Sequence, residues 1–516
     1  MNAVHVVDSS QLDRGRRAAR RSRVLWLSGA ALLASVIAIQ PFRDTDVWWH
    51  LALGQLITAY GIPHSEPFSF LQAAHPWVGQ QWLYEVLLAG LVGAGGPPLA
   101  SVVMGAVAVA ALIIAALAVP RTMRVSPAAL AASVVLSALV MGQLIGVRGQ
   151  VTSLLGTAVV LLVISRWREG RTGYLWALPP VFLLWANLHA GFIVGLAVLV
   201  LALVAATPLE PAARVSRRPL AIALVASAMV TLVNPAGIGL YRYVADTFLN
   251  PTLTQLVTEW MSPDFHNIWL QLFELQAALL VVLWIASGRP DRFDALLWFL
   301  TFIAALQAQR NVSLFALVAV PQIAVYGTRA WRLRVAPRLG ARLRPAQTRG
   351  RSVLSGAAFI GVAVATLLSL APRLTASAAS FEAARYPKAA ADYVAAHFIG
   401  QRIYAPDSWG GYLAYRFPEG RVVFLYDETA VFGDAALQRY LDVHLLRSNW
   451  ASVLREEAVT TAIVGDASQE ASAFHELGWT VDCYDAASSS LVMSAPPYAS
   501  GASAPLTVPP RDAARC

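Results

Sequence analysis

Charge is what this chain has least of. Asp, Glu, Lys and Arg together make 13% of its 516 residues, roughly half of what a soluble domain carries. With 57% apolar residues and a mean hydropathy of +0.56, a water-surrounded globule is excluded and a bilayer becomes the solvent. Cysteine is nearly absent. Cys483 and Cys516 are the only two, too few for a disulfide framework or a thiolate metal cluster, and Cys516 ends a polar tail expected to be disordered. A cleavage site is missing as well. The basic start RGRRAARRSR leads into an apolar run that ends IQPFRDTD, without the small residues of a removable leader, so it reads as an uncleaved first span. The net charge of +9 is carried by arginines in the loops between apolar runs. Membrane orientation produces that distribution, and nucleic acid is not an expected partner.

What is present is a series of apolar runs, each near the roughly 20 residues that a crossing helix needs. They cover 23–41, 98–119, 127–146, 151–166, 173–188, 189–207, 218–234, 268–287, 293–309, 312–327 and 352–371. The expected fold class is an α-helical polytopic membrane protein with about eleven transmembrane helices and a C-terminal α/β domain. Segment 81–95 is apolar but short, and it contains Glu85. If it does not cross, nearly every arginine cluster falls on the cytoplasmic side, including the eight arginines of 329–351. It is therefore expected to lie at the outer interface, with the N-terminus inside and the C-terminus outside.

The expected domains are a basic N-terminus (1–22), a transmembrane domain (23–379) whose first outer loop is 42–97, an extracytoplasmic α/β domain (380–498) and a tail (499–516). In the α/β domain, β-rich runs at 402–405, 421–426, 460–465, 479–484 and 490–493 alternate with helical patterns, which predicts a partly parallel sheet. The spans imply a multi-pass membrane protein, and the cytoplasmic membrane is the expected location.

With this orientation, polar residues gather on the outer side. Asp44, Asp46 and His50 follow the first span, Glu66, His75 and Trp77 complete the loop, and Arg148, His189 and Arg310 sit at later outer turns. Ionisable groups at membrane depth are costly and usually face a cavity, so this set is read as one outward site. Asp46 could instead cap the helix VWWHLALGQLITAYG. Trp48 and Trp49 read as interfacial anchors, His189 as a packing residue, and SWGGYL at 408–413 as a turn that opens a helix.

The first loop then resembles that of GT-C glycosyltransferases such as the protein O-mannosyltransferases and the lipid A aminoarabinose transferases. Asp44, Asp46, Trp48, Ala52, Gly61, His75, Pro76, Trp82 and Leu83 carry the match. Asp-Thr-Asp stands where the family has Asp-Glu, and Trp48 where Tyr is usual. SWGGYL and LYDET (425–429) resemble a bacterial branch of membrane proteins with the same layout. The resemblance implies a cell-envelope enzyme that moves a sugar from a polyprenyl-phosphate donor to a lipid, glycan or protein acceptor, with inversion. Asp44 would be the base and Asp46 its partner, and His50, Glu66, His75, Trp77, Arg148, His189 and Arg310 would bind substrate. No cofactor is required by this reading, and a divalent cation on Asp44 and Asp46 is left open. The competing expectations are a transporter, a lipid- or glycan-binding assembly protein, or a ligase using a lipid-diphosphate donor. Membrane lipids are partners in all of them.

Overall fold

A computed structural model of the chain describes residues 9–71, 76–142, 144–209, 215–249, 257–338, 353–366, 368–369, 382–398, 400–428, 431–496 and 515–516. Its helices are α1 (Ser9–Ala38), α2 (Asp46–Tyr60), α3 (Trp82–Leu117), α4 (Pro127–Met141), α5 (Gln150–Arg168), α6 (Leu178–Leu188), α7 (Phe192–Ala205), α8 (Arg218–Val230) and α9 (Gly239–Leu249). After them come α10 (Ile268–Ser287), α11 (Arg292–Gln307), α12 (Val312–Ala330) and α13 (Val353–Thr366). The last part of the chain adds α14 (Lys388–His397), α15 (Asp407–Arg416), α16 (Asp434–His444), α17 (Trp450–Glu456) and α18 (Gln469–Glu476). Strands β1 (Ile403–Tyr404), β2 (Thr461–Gly465), β3 (Thr480–Asp485) and β4 (Ser490–Ser494) complete it.

Among the described residues, five helices are long and apolar enough to cross a membrane: Arg17–Ala38, Trp82–Leu117, Gln150–Arg168, Ile268–Ser287 and Gln309–Val335. α4, α7, α8 and α13 are apolar but shorter. The chain is thus a polytopic helical membrane protein with a small sheet. α3 is broken inside, at the boundary between segments 81–95 and 98–119. Gly95 (φ −156°, ψ 19°) and Gly96 (φ 69°, ψ −177°) leave the helical region, and Pro97 and Pro98 follow. Only glycine takes the Gly96 conformation without strain, and the prolines cannot continue the preceding helix but can open the next one.

The chain forms two compact units. The first comprises Met1–Gln40, Val102–Val233 and Thr254–Arg373. Here α4 packs on α1, α10 and α12, α11 on α7 and α12, and α6 and α7 on α5 and α8. Local chemistry starts the helices. Ser126 caps α4 with Pro127 behind it, Asn267 caps α10, and the Asp291 carboxylate accepts the Phe293 N–H at 3.0 Å to open α11.

The second unit comprises Pro41–Ser101, Asn234–Leu253 and Leu374–Cys516, so the first loop and the C-terminal region fold together. Its sheet has the order β1-β2-β4-β3, with β1 parallel to β2 and both other pairs antiparallel. The run 421–426 is not a full strand. Val423 bridges Ile403 on one side and Ser69 on the other, the Phe70 N–H donates to the Val423 carbonyl at 3.1 Å, and Ser69 Oγ donates to the Phe424 carbonyl at 2.7 Å. The first loop therefore extends the sheet's hydrogen bonding.

Two expectations are corrected here. Cys483 and Cys516 form a disulfide, so the end of the tail is anchored to β3, and Arg515 also bridges Tyr484. Residues 497–514 of the tail lie outside the described residues. Trp48 and Trp49 are not interfacial anchors but are 4% and 1% exposed inside the second unit. Trp48 is boxed by Phe42, Tyr386, Tyr412 and Tyr415 at 5.0–5.6 Å between ring centroids. Burying a Trp completely among aromatic edges outweighs interfacial placement, because both its apolar area and its ring quadrupole are used.

Candidate functional site

In the second unit, α2 starts where the acids stand. Asp44 Oδ1 accepts the Asp46 N–H at 3.2 Å, so the acid bonded to the first helical amide is Asp44, while Asp46 is the helix's first residue. The Trp49 indole points at Asp46 Oδ1 from 3.5 Å, and the Asp44 carbonyl accepts the Tyr386 hydroxyl at 3.2 Å. Both carboxylates sit at the N-terminal end of α2. The helix behind them is buried almost all round, from Val47 to Gly54 and again at Ile57.

SWGGYL does more than open a helix. α15 packs against α2, and its glycines permit the approach. A Cβ at Gly410 would fall 2.0 Å from the Leu425 carbonyl oxygen, and one at Gly411 would lie 3.1 Å from Asp427 Oδ1, 3.2 Å from Trp49 and 3.3 Å from the Thr45 carbonyl. The Asp427 carboxylate is thereby set beside the start of α2, with both oxygens shielded from solvent. Next to it, Glu428 Oε1 accepts from Gln80 at 3.0 Å and from the Tyr243 hydroxyl at 3.1 Å. His50 Nδ1 meets Glu85 Oε1 at 3.3 Å, with both side chains buried. Acids from the first loop, from α3 and from the segment after Val423 thus gather in one unit.

Glu66 and Trp77 have structural partners. Glu66 is wholly buried. Its Oε1 accepts the Phe68 N–H at 2.8 Å and the Tyr426 hydroxyl at 2.9 Å, and its Oε2 accepts the Ser69 N–H at 2.6 Å. Burial pushes its pKa up to about 7, against the pull of these donors and of Arg421. Trp77 is buried with its ring 6.4 Å from Trp49. His75 lies outside the described residues.

In the first unit, the short turn Thr258–Trp260 gathers the two expected arginines. Arg148 pairs with Glu259, and Arg310 stacks over the Trp260 ring at 4.6 Å. Gln150, two residues from Arg148, donates to the Arg310 carbonyl at 3.0 Å. His189 is a hydrogen-bonded packing residue. Its Nδ1 accepts the Gly191 N–H at 2.9 Å and lies 2.8 Å from Ser153 Oγ, which itself accepts the Trp185 indole N–H at 2.8 Å. Since Nδ1 is an acceptor, the ring is neutral with its proton on Nε2.

Among the described residues, no three His, Cys, Asp or Glu side chains form a group that could hold a metal ion. Two features were not singled out from the sequence. Tyr243 lies on α9, where nothing local marks it, and Tyr426 lies in an apolar run that reads only as a strand.

The sequence matches no family model and no curated protein. Solved structures do match. The archaeal oligosaccharyltransferase AglB from Archaeoglobus fulgidus, in complex with an inhibitory peptide and a dolichol-phosphate, superimposes with a TM-score of 0.54 at 13% identity, over 86% of this chain and 69% of that one. The apo form of an Archaeoglobus fulgidus oligosaccharyltransferase gives 0.50 at 13% identity, over the same shares. The mycobacterial arabinofuranosyltransferase AftD gives 0.47 at 13% identity, over 87% of this chain and 35% of that one. With its polytopic helices and its small sheet, the chain shares the fold of these archaeal oligosaccharyltransferases.

Proposed function

We propose that the protein is a membrane glycosyltransferase that moves a sugar from a polyprenyl-phosphate donor to a hydroxyl acceptor on the outer face of the cytoplasmic membrane. The observation that carries this reading is the clustering of Asp44, Asp46 and Asp427 about the start of α2 on a GT-C fold. A lipid-linked donor is supported by the dolichol-phosphate in the AglB complex. An extracytoplasmic second unit is supported by the Cys483–Cys516 disulfide, since such bonds persist in oxidising compartments.

In this mechanism Asp44 takes the proton of the acceptor hydroxyl as general base, with Asp46 as its partner. The acceptor oxygen bonds to the anomeric carbon as the bond from that carbon to the phosphate oxygen breaks, and one displacement inverts the centre. The leaving phosphate needs positive charge. Arg148 and Arg310, the arginines expected from the sequence to supply it, belong to the first unit, where Glu259 and the Trp260 ring hold them. Within the second unit, His50 and Trp77 would shape the sugar and acceptor surfaces, and Glu66 would hold the first loop beside them. No step requires a metal.

The test is transfer of radiolabelled sugar from polyprenyl-phosphate and polyprenyl-diphosphate donors to membrane extract by the purified full chain. Asp44→Asn should lower turnover by at least about a hundredfold, the typical contribution of a general base, while membrane insertion and thermal unfolding stay unchanged. Full activity in that variant removes the base assignment. Transfer of a whole glycan from the diphosphate donor alone would make the protein a ligase. No transfer by the wild type from either donor would favour the transporter or assembly reading.

A further inference from the structure

A second polar centre lies wholly within the first unit, and the proposed reaction makes no use of it. A cavity of about 310 Å³, within the range of ligand pockets, is enclosed by the end of α5, the α10–α11 loop, the start of α11 and the end of α12. Arg168, Arg289 and Arg329 line it together with Asp291, Asp294 and Gln322. Its remaining wall is largely apolar, with Leu161, Ile164, Phe293 and Leu297 among the lining residues. α5, α10 and α12 all belong to helices long enough to cross a membrane, and the cavity lies where the ends of these candidate spans meet.

Part of this centre is structural. Arg168 Nη2 pairs with Asp291 Oδ2 at 2.8 Å, and its Nε donates to the Thr207 carbonyl at 2.8 Å. Tyr326 donates to Asp294 Oδ2 at 2.8 Å and accepts the Asp291 N–H at 2.9 Å. The rest is not satisfied internally. Arg289 has no hydrogen bond or ion pair among the described residues, and Arg329 has only the Tyr326 ring, 5.5 Å away, and a longer-range attraction to Asp294. Gln322 is 3% exposed; its Nε2 donates to the Asp294 carbonyl at 3.1 Å, but its Oε1 is buried with no partner. A buried acceptor of this kind calls for a donor. The three guanidiniums exceed the two carboxylates by one positive charge.

We infer that this cavity binds the headgroup of an anionic phospholipid whose phosphodiester carries a hydroxyl-bearing substituent, as in phosphatidylglycerol. Arg289 and Arg329 take the phosphate through charge-assisted hydrogen bonds, and a headgroup hydroxyl donates to Gln322 Oε1. An acyl chain follows the apolar wall. The single negative charge of the lipid matches the single excess positive charge of the site, and basic pockets between spans are the expected places for anionic headgroups.

The test uses the purified full chain in detergent and reads lipid binding by native mass spectrometry and lipid-dependent thermal stabilisation. The additions are phosphatidylglycerol, phosphatidylcholine or inorganic phosphate. The expected result is binding and stabilisation by phosphatidylglycerol alone, with affinity reduced about tenfold or more in Arg289→Gln/Arg329→Gln. Both arginines are exposed, so this double variant should fold normally. Unchanged phosphatidylglycerol binding in the double variant overturns the assignment. Equal stabilisation by inorganic phosphate overturns it in favour of a free-anion site, and equal stabilisation by phosphatidylcholine removes the hydroxyl and charge selectivity.

Discussion

Glu66→Gln separates a buried clamp from a substrate-binding acid, because the two roles differ in sign across pH. In the folded chain three donors converge on the Glu66 carboxyl, two on Oε1 and one on Oε2. An amide offers one acceptor oxygen, so at least one buried N–H is left facing an NH2 group, which costs about 1–3 kcal/mol. The pH term runs the other way. The folded pKa stands near 7 against 4.5 for the ordinary carboxyl, so between these values the native state binds more protons than the unfolded chain. Stability is then greatest below pH 4.5 and falls as pH rises, by about 3 kcal/mol in total by pH 7. The variant cannot ionise and lacks this slope. Thermal unfolding of both proteins from pH 4.5 to 8 should show the variant weaker at acidic pH and the gap narrowing, or reversing, by neutral pH. Parallel curves, or equal stability at pH 4.5, would refute the clamp and return Glu66 to the substrate.

Other perturbations follow from the same contacts. Gly410→Ala would push a Cβ to 2.0 Å from the Leu425 carbonyl and 2.8 Å from Tyr426 Cα. Both obstacles are backbone, so the loss should be about 1–3 kcal/mol or more, with increased hydrogen exchange at 423–428; exchange identical to wild type would contradict the docking of α15. Cys516→Ser opens a bridge across a 33-residue separation. The loop-entropy relation gives about 4 kcal/mol for the constraint it removes, so thermal unfolding should move down, and insensitivity to both the substitution and reductant would mean that the bridge does not hold the tail.

The linear sequence by itself determined the solvent and the class of fold. Hydropathy, arginine placement and the first-loop motif are local signals, read out by lipid and water along a single stretch of chain. The separation of segments 81–95 and 98–119 was legible as a boundary between apolar runs, and the break at Gly95 and Gly96 falls there. What only the tertiary structure decided is which distant groups meet. Tyr426 reaches Glu66 across 360 positions, Glu259 claims Arg148 across 111, and Cys516 finds Cys483 from a tail that reads as loose. Apolar periodicity fixes which way a side chain faces, but a buried carboxyl is satisfied by whatever the fold brings to it. The same acids that look alike in RDTDVWW and LYDET therefore acquire their separate surroundings only when α15 is seated on α2.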